Sequence, residues 1–458
     1  MNYKSKSSLV GFRSGSSSLS HYLVPAVVAV SAVVIGLVVG QGQWKLALAA
    51  LGLPLVMLSP VPIGLGSYAV LIPFDSVAVL GQAEHGRTLT WFAGAAATVL
   101  LLGAGLVSRR YAVPPAAAKW WVLFTLWYAL TTAWALSPQT AIQFLPTVFG
   151  LLVLYVASVC FRYRQNEFQL ITFLTILGGI AAAIWTIHLF RQGSFYETGA
   201  ETRASLIVDG RYANPDELAM TLLLPISLAF GHFLSLKRGL RKTCMLGAML
   251  VITLGLLVTM SRAAVVALAI MLAVYLYRLR VGLRLMLPVA LLSMLLLLMP
   301  SGFFLRFQQA SESGGSGRFD IWTVGLAAFS HYGLIGAGLH NFPFAYTNYA
   351  GEAPHFKGIG RDAHNIYLAI AVETGVIGLL LFAGAVRSQM RTHFHARHVG
   401  EVNNLLIATE AATWGILVFG FFGTIIWDKS FWFSLMLMSA AGSLVQEPAA
   451  SSPSREAR

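Results

Sequence analysis

Four basic residues beside apolar segments carry most of the chemistry this sequence offers: Arg211, Arg262, Arg318 and His364. A guanidinium presents a planar fork of N–H donors that grips phosphate oxygens in pairs. An imidazole is the usual general base near neutral pH. Arg262 ends the motif Thr259-Met-Ser-Arg262 between two apolar runs. Two readings are open for it: an arginine snorkelling from a turn to the interface, or an anion-binding group facing a cavity. Arg318 follows the Gly- and Ser-rich stretch 311–317 and opens Arg318-Phe-Asp-Ile-Trp-Thr-Val-Gly-Leu-Ala-Ala-Phe329. That run predicts an amphipathic helix ending near His331-Tyr-Gly333. A helix N-terminus favours an anion, and a cation placed there does nothing for the helix alone. Arg211 precedes Asn214-Pro-Asp-Glu217, which reads as cap, first-turn proline and acidic first turn of a helix. The cap does not explain Arg211.

His364 stands in Arg361-Asp-Ala-His364-Asn365-Ile-Tyr367, where a long polar segment meets an apolar run. In one reading Asp362 or Asn365 caps the coming helix and His364 is merely interfacial. In the other, His364 is a base oriented by a carboxylate from Asp362, Asp320 or Glu373. Glu373 falls well inside the apolar run, where an acid is costly unless paired or facing a wet cavity. His331, His340 and His355 have no comparable context. No cluster has zinc-ligand spacing, no Gly-rich nucleotide loop follows a strand, and no Ser-His-Asp order is visible. Neither a metal nor another cofactor is expected.

The elements that position these residues are helices in a membrane. Of the 458 residues 57% are hydrophobic and only 11% charged, with a mean hydropathy of +0.71. Soluble domains carry roughly 25% charged residues. The apolar residues come in blocks of roughly 16 to 22, the length that spans a hydrocarbon core of about 30 Å as a helix. They lack the two-residue alternation of barrel strands. Spans are predicted near 22–40, 44–58, 62–80, 90–107, 119–136, 143–161, 168–189, 216–235, 243–260, 263–278, 283–300, 364–386, 403–424 and 429–445. The short, Pro-broken 44–58 and 62–80 pieces also fit a re-entrant pair, so roughly twelve to fourteen spans are expected. The fold class is all-α and polytopic. The 22–40 run is long for a signal-peptide core and reads as a retained first helix.

The net charge of +13 does not point to nucleic acid, because Lys and Arg sit in short tracts between apolar blocks, as the positive-inside rule expects. Arg109/Arg110, Arg162/Arg164, the Lys237–Lys242 tract, Arg278/Arg280/Arg284 and Arg387/Arg391/Arg397 fall on one side, read as cytoplasmic together with both termini. Cys160 and Cys244 lie near helix ends of that side, where a disulfide is not expected. The expected organisation is a tail (1–20), N-terminal helices (21–190), a core (191–400) with an external loop (301–363), closing helices (401–445) and a disordered tail (446–458). A shorter external loop spans about 191–215. Loops as long as the first are commonly functional.

The pieces Ser316-Gly-Arg318-Phe-Asp-Ile-Trp322, Gly333-Leu-Ile-Gly-Ala-Gly338, Phe342, Asp362-Ala-His364-Asn365-Ile-Tyr-Leu368 and Glu373-Thr-Gly375-Val-Ile-Gly378 resemble, in that order, the O-antigen ligase/polymerase superfamily. Gly210-Arg-Tyr-Ala-Asn-Pro-Asp-Glu-Leu218 and Thr259-Met-Ser-Arg262 look like its other hallmarks. The resemblance covers roughly residues 205–385. It implies metal-independent, inverting transfer from an undecaprenyl-diphosphate-linked glycan, on the periplasmic face of the inner membrane, to a glycan or lipid A–core acceptor. It implies His364 as base, Arg318 and Arg262 on the diphosphate, Arg211 as a further contact, and Asp362, Asn365 and Glu373 as supporting residues. A polysaccharide flippase and a chain-length regulator are the implied protein partners. The first external turn, Gln41-Gly-Gln43, has no acid, unlike metal-dependent lipid-linked transferases that place a carboxylate there. Ligase, polymerase and protein-glycosylating subtypes share these motifs. Two other classes remain: a secondary transporter, which predicts midplane charges in both halves although the first half offers little beyond Asp75, and a non-catalytic assembly component.

Overall fold

The computed structural model describes residues 59–77, 88–198, 201–208, 211–279, 317–394 and 401–446. The chain divides into two compact units at Ile63/Gly64, and only residues 59–63 of the first are described. Helices α1 (Pro60–Leu71), α2 (Leu89–Ser108), α3 (Ala116–Leu130), α4 (Pro138–Val159) and α5 (Gln165–Arg191) come first. Two antiparallel hairpins follow, β1 (Tyr196–Thr198) with β2 (Glu201–Arg203) and β3 (Ile207–Val208) with β4 (Arg211–Tyr212). Then come α6 (Pro215–Thr221), α7 (Leu223–Ser235), α8 (Leu240–Val258) and α9 (Arg262–Leu279). Helices α10 (Arg318–Tyr332), α11 (Phe342–Asn348), α12 (Ile366–Phe394), α13 (Glu401–Phe419) and α14 (Lys429–Gln446) complete the described chain.

Among the described residues, eight helical stretches are long and apolar enough to cross a membrane: α2, α4, α5, α6 with α7, α8, α9, α12 and α13. The all-α polytopic class stands. The predicted spans at 22–40, 44–58 and 283–300, the hinge at 311–316 and both tails lie outside the described residues. Within the expected 191–215 loop, the described residues form two short antiparallel strand pairs. Val99, Leu106, Val107, Leu177 and Leu380 point outward and exposed, an arrangement suited to hydrocarbon, where backbone groups must be satisfied within the helix. Inward, Trp121 of α3 is fully buried and meets Phe382 of α12 and Phe431 and Trp432 of α14 edge-on or tilted, with ring centroids 5.5–5.9 Å apart.

One helix is broken on purpose. At Gly375 the backbone of α12 leaves helical geometry (φ 66°, ψ −170°), and the segment 333–338 runs into the gap. Val372 and Glu373 carbonyls accept the N–H groups of Ala337 (2.8 Å) and Gly338 (3.0 Å), and Val376 N–H donates to Gly333 at 2.8 Å. The Thr374 carbonyl takes the Trp127 indole N–H at 2.9 Å. A break at this depth is tolerable because the freed groups find partners. Glycine is required on both sides: a Cβ at Gly375 would sit 2.3 Å from the Leu334 carbonyl oxygen, and one at Gly336 would sit 2.2 Å from that of Glu373.

The strap carries a small outer module packed on α12. Ile321, Val324 and Ala328 of α10, Phe342, Ala345 and Tyr346 of α11, and Ala369 and Val372 of α12 form its buried core. At the opposite end of the bundle Arg110 closes the turns, bonding Glu167 at 2.5 and 2.7 Å and the Arg162 carbonyl at 2.6 Å.

Candidate active site

The topology brings the ends of α5, α8 and α13 and the starts of α6, α9, α12 and α14 to one end of the bundle, beneath the outer module. His364 lies there with a left-handed backbone (φ 45°), a conformation a non-glycine residue holds only when its surroundings impose it. Three contacts impose it. Trp322 of α10 donates its indole N–H to the Ala363 carbonyl at 3.1 Å. Asn365 caps α12, accepting from the N–H groups of Tyr367 (2.9 Å) and Leu368 (3.1 Å). Ile366 N–H donates to the Gly420 carbonyl at 2.7 Å, tying the start of α12 to the end of α13.

The imidazole of His364 remains open to solvent yet feels its neighbours. Burial pushes its pKa below the ordinary value, Arg318 pushes it further down, and Asp362 and Asp216 oppose. The imidazole is therefore uncharged at neutral pH. Arg318, four residues before Trp322 on the same face of α10, sets its guanidinium carbon 5.8 Å from the Phe422 ring centroid. Arg318 and His364 thus lie within electrostatic reach of each other. Asp362 is exposed beside them.

Arg262 is the first residue of α9, directly after the turn Thr259-Met-Ser, in which Met260 has φ 54°. Arg211 sits on β4, half-buried. The cap expected at Asn214 forms, with its side chain accepting from Asp216 N–H at 2.9 Å; Glu217 instead lies open. Glu217 is within electrostatic reach of Asp216, Asp362, Asp428 and Asp75, so carboxylates gather beside the arginines. Asp75 pairs with Lys429 at the start of α14.

Two of the carboxylates considered for orienting His364 are engaged elsewhere. Glu373 is buried and accepts from the Tyr128 hydroxyl and from Phe342 N–H at 2.9 Å; it anchors the start of α11. Asp320 holds His355 Nδ1 and Lys357 Nζ, each at 3.3 Å. Burial raises the Asp320 carboxyl, but the hydrogen bonds from His355 and Lys357 outweigh it and hold it below the usual carboxylate range. Asp362 alone of the three shares the surroundings of His364. His340 stacks on Phe144 with ring centroids 4.2 Å apart, a packing role.

Sequence reasoning missed Arg203. It is 6% exposed and bonds Asp216 through both outer nitrogens, at 2.7 and 3.2 Å. The only hint was an arginine leading into Ala204-Ser-Leu206, a run too short to read. Asp216 was legible only as part of a cap. Among the described residues no group of His, Cys, Asp and Glu could hold a metal ion.

The helical bundle gathers His364, Arg318, Arg262 and the module of α10 and α11 at one end. The family described as O-antigen ligase matches residues 247–383, from α8 to α12, a stretch containing Arg262, Arg318, Asp362, His364, Asn365 and Glu373. Over that segment the chain is similar to this family. No curated protein matches the chain.

Proposed function

We propose that this protein transfers an undecaprenyl-diphosphate-linked glycan to an acceptor hydroxyl on the outer face of the cytoplasmic membrane. The observation that carries the reading is the meeting of His364 and Arg318 at one end of the bundle, within the O-antigen ligase match. The cationic residues Arg109, Arg110, Arg162, Arg164 and Arg278 lie toward the other helix ends, which supports placing the site away from the cytoplasm. The acceptor O–H attacks the anomeric carbon from the face opposite the diphosphate, and His364 takes its proton. A new C–O bond forms as the bond from the anomeric carbon to phosphate breaks, and undecaprenyl diphosphate departs with the electron pair. Arg318 and Arg262 stabilise that developing charge without a metal, with Arg211 as a further contact. The carboxylates around Glu217 suit a hydroxyl-rich acceptor, since they accept hydrogen bonds and repel phosphate.

Deletion of the gene followed by gel analysis of envelope polysaccharide tests the reading. Free core with accumulated lipid-linked polymer identifies a ligase; loss of polymer, or core bearing a single repeat, identifies a polymerase. Unchanged glycans with altered solute uptake would refute both.

A further inference from the structure

We propose that Arg203, with Asp216 as its counter-ion, is a positioning residue of this site, tying the hairpin, the start of α6 and the turn before Arg262 into one frame. The inference rests on the transferase reading above.

All three guanidinium nitrogens of Arg203 are committed to protein. Nη1 and Nη2 hold the two Asp216 oxygens at 3.2 and 2.7 Å, and Nε donates to the Thr259 carbonyl at 3.0 Å. With both paired donor edges engaged, no free fork is left to grip a phosphate bidentately, unlike a guanidinium reserved for substrate. Thr259 is three residues before Arg262, and the strained Met260 lies between them. The backbone is pinned in parallel, as Ala204 N–H donates to the Val258 carbonyl at 3.2 Å. Ser261 of the same turn lies beside Asp216. The guanidinium and the Ala204 N–H therefore fix the start of the turn that presents Arg262, with the carboxylate next to its end.

The frame also reaches the histidine. Asp216 lies within electrostatic reach of Arg318 and of His364, so its charge favours both the arginine and a protonated imidazole. Moving the carboxylate would change the geometry at Arg262 and the field at His364 together. Neither Arg203 nor Asp216 lies in the segment matched by the family.

The full chain in lipid nanodiscs tests this with two readouts. One is transfer kinetics; the other is the pH dependence of diethyl pyrocarbonate modification at His364, followed by mass spectrometry. Asp216→Asn is expected to lower kcat roughly tenfold or more, as misplacement of reacting groups does, and to move the His364 inflection to lower pH. Arg203→Lys keeps the Asp216 charge, so the inflection holds while the lost fork raises the donor KM. If Asp216→Asn leaves too little folded protein, Arg203→Met combined with Asp216→Leu removes both charges without stranding one and is expected to show the same kcat loss and inflection shift. Folded variants with wild-type kinetics and an unmoved inflection overturn the proposal. A wild-type chain that transfers no glycan overturns the transferase reading instead, and the inflection then decides the role of Asp216 by itself.

Discussion

The indole N–H of Trp322 meets the carbonyl of Ala363 at 3.1 Å, one residue before His364, so α10 sets the backbone from which the imidazole projects. The same helix face carries Arg318. Trp322→Phe keeps most of the buried ring and deletes the donor. It is expected to lower kcat about tenfold, in line with the cost of small displacements of a catalytic group, while the melting temperature changes little. A melting drop with proportionate activity loss would assign Trp322 to packing alone.

The pH profile follows from the surroundings of His364. Burial first, then Arg318, depress its pKa. A base works unprotonated, so activity rises as pH climbs through the folded value and levels off above it. The acid limb of kcat/KM is expected below about pH 6.5, the ordinary imidazole value. Asp362 favours the imidazolium, and Asp362→Asn should therefore carry the limb further down. An acid limb at pH 7 or above would contradict the assignment.

Arg318→Ala removes a guanidinium assigned to the leaving diphosphate. Losing one such stabilising donor costs on the order of 10²–10³ in kcat. Arg318→Lys keeps charge without the fork and should recover only part of the rate. Assays with purified lipid-linked donor read both values, and full activity in Arg318→Ala would remove it from the mechanism.

Glu373 separates architecture from chemistry. Glu373→Gln retains an acceptor for Phe342 N–H, whereas Glu373→Ala strands that group and the Tyr128 hydroxyl. Leaving a buried polar group unsatisfied costs about 1–3 kcal/mol. Thermal unfolding in detergent should show the alanine variant well below the glutamine variant, with the pH limb of transfer unmoved in both. A moved limb would draw Glu373 into the catalytic group.

Gly375→Ala tests the break in α12. A side chain there combines a positive φ and extended ψ that only glycine holds readily, worth roughly 1–3 kcal/mol, with direct overlap against the Leu334 carbonyl. Sharply reduced yield of folded protein is expected. Gly351, whose added Cβ would meet nothing within 4 Å, is the matched control.

Much of this was legible in the sequence because lipid imposes simple rules. Apolar blocks of fixed length placed the helices to within a few residues, as at α5 and α9, and the Gly- and Ser-rich stretch before Arg318 marked the start of α10. The sequence narrowed the cap of α12 to Asp362 or Asn365, and the structure puts it on Asn365. The long-range pairings were illegible. Glu373 looked like a buried acid awaiting a catalytic partner, since its real partners, Tyr128 and the backbone of Phe342, lie 245 and 31 residues away. Arg203 and Asp216 are 13 residues apart across two hairpins, a spacing with no period to read.

The strap that fills the break in α12 also decides how force travels. The outer module is fastened to the spanning helix by the hydrogen bonds at Val372, Glu373 and Val376, which complete the helix's own broken ladder. Its attachment is therefore a splice in the backbone, and a pull on the module is borne by α12 along its length. The module and α12 should respond to load as one lever, with His364 just before the first turn of the helix.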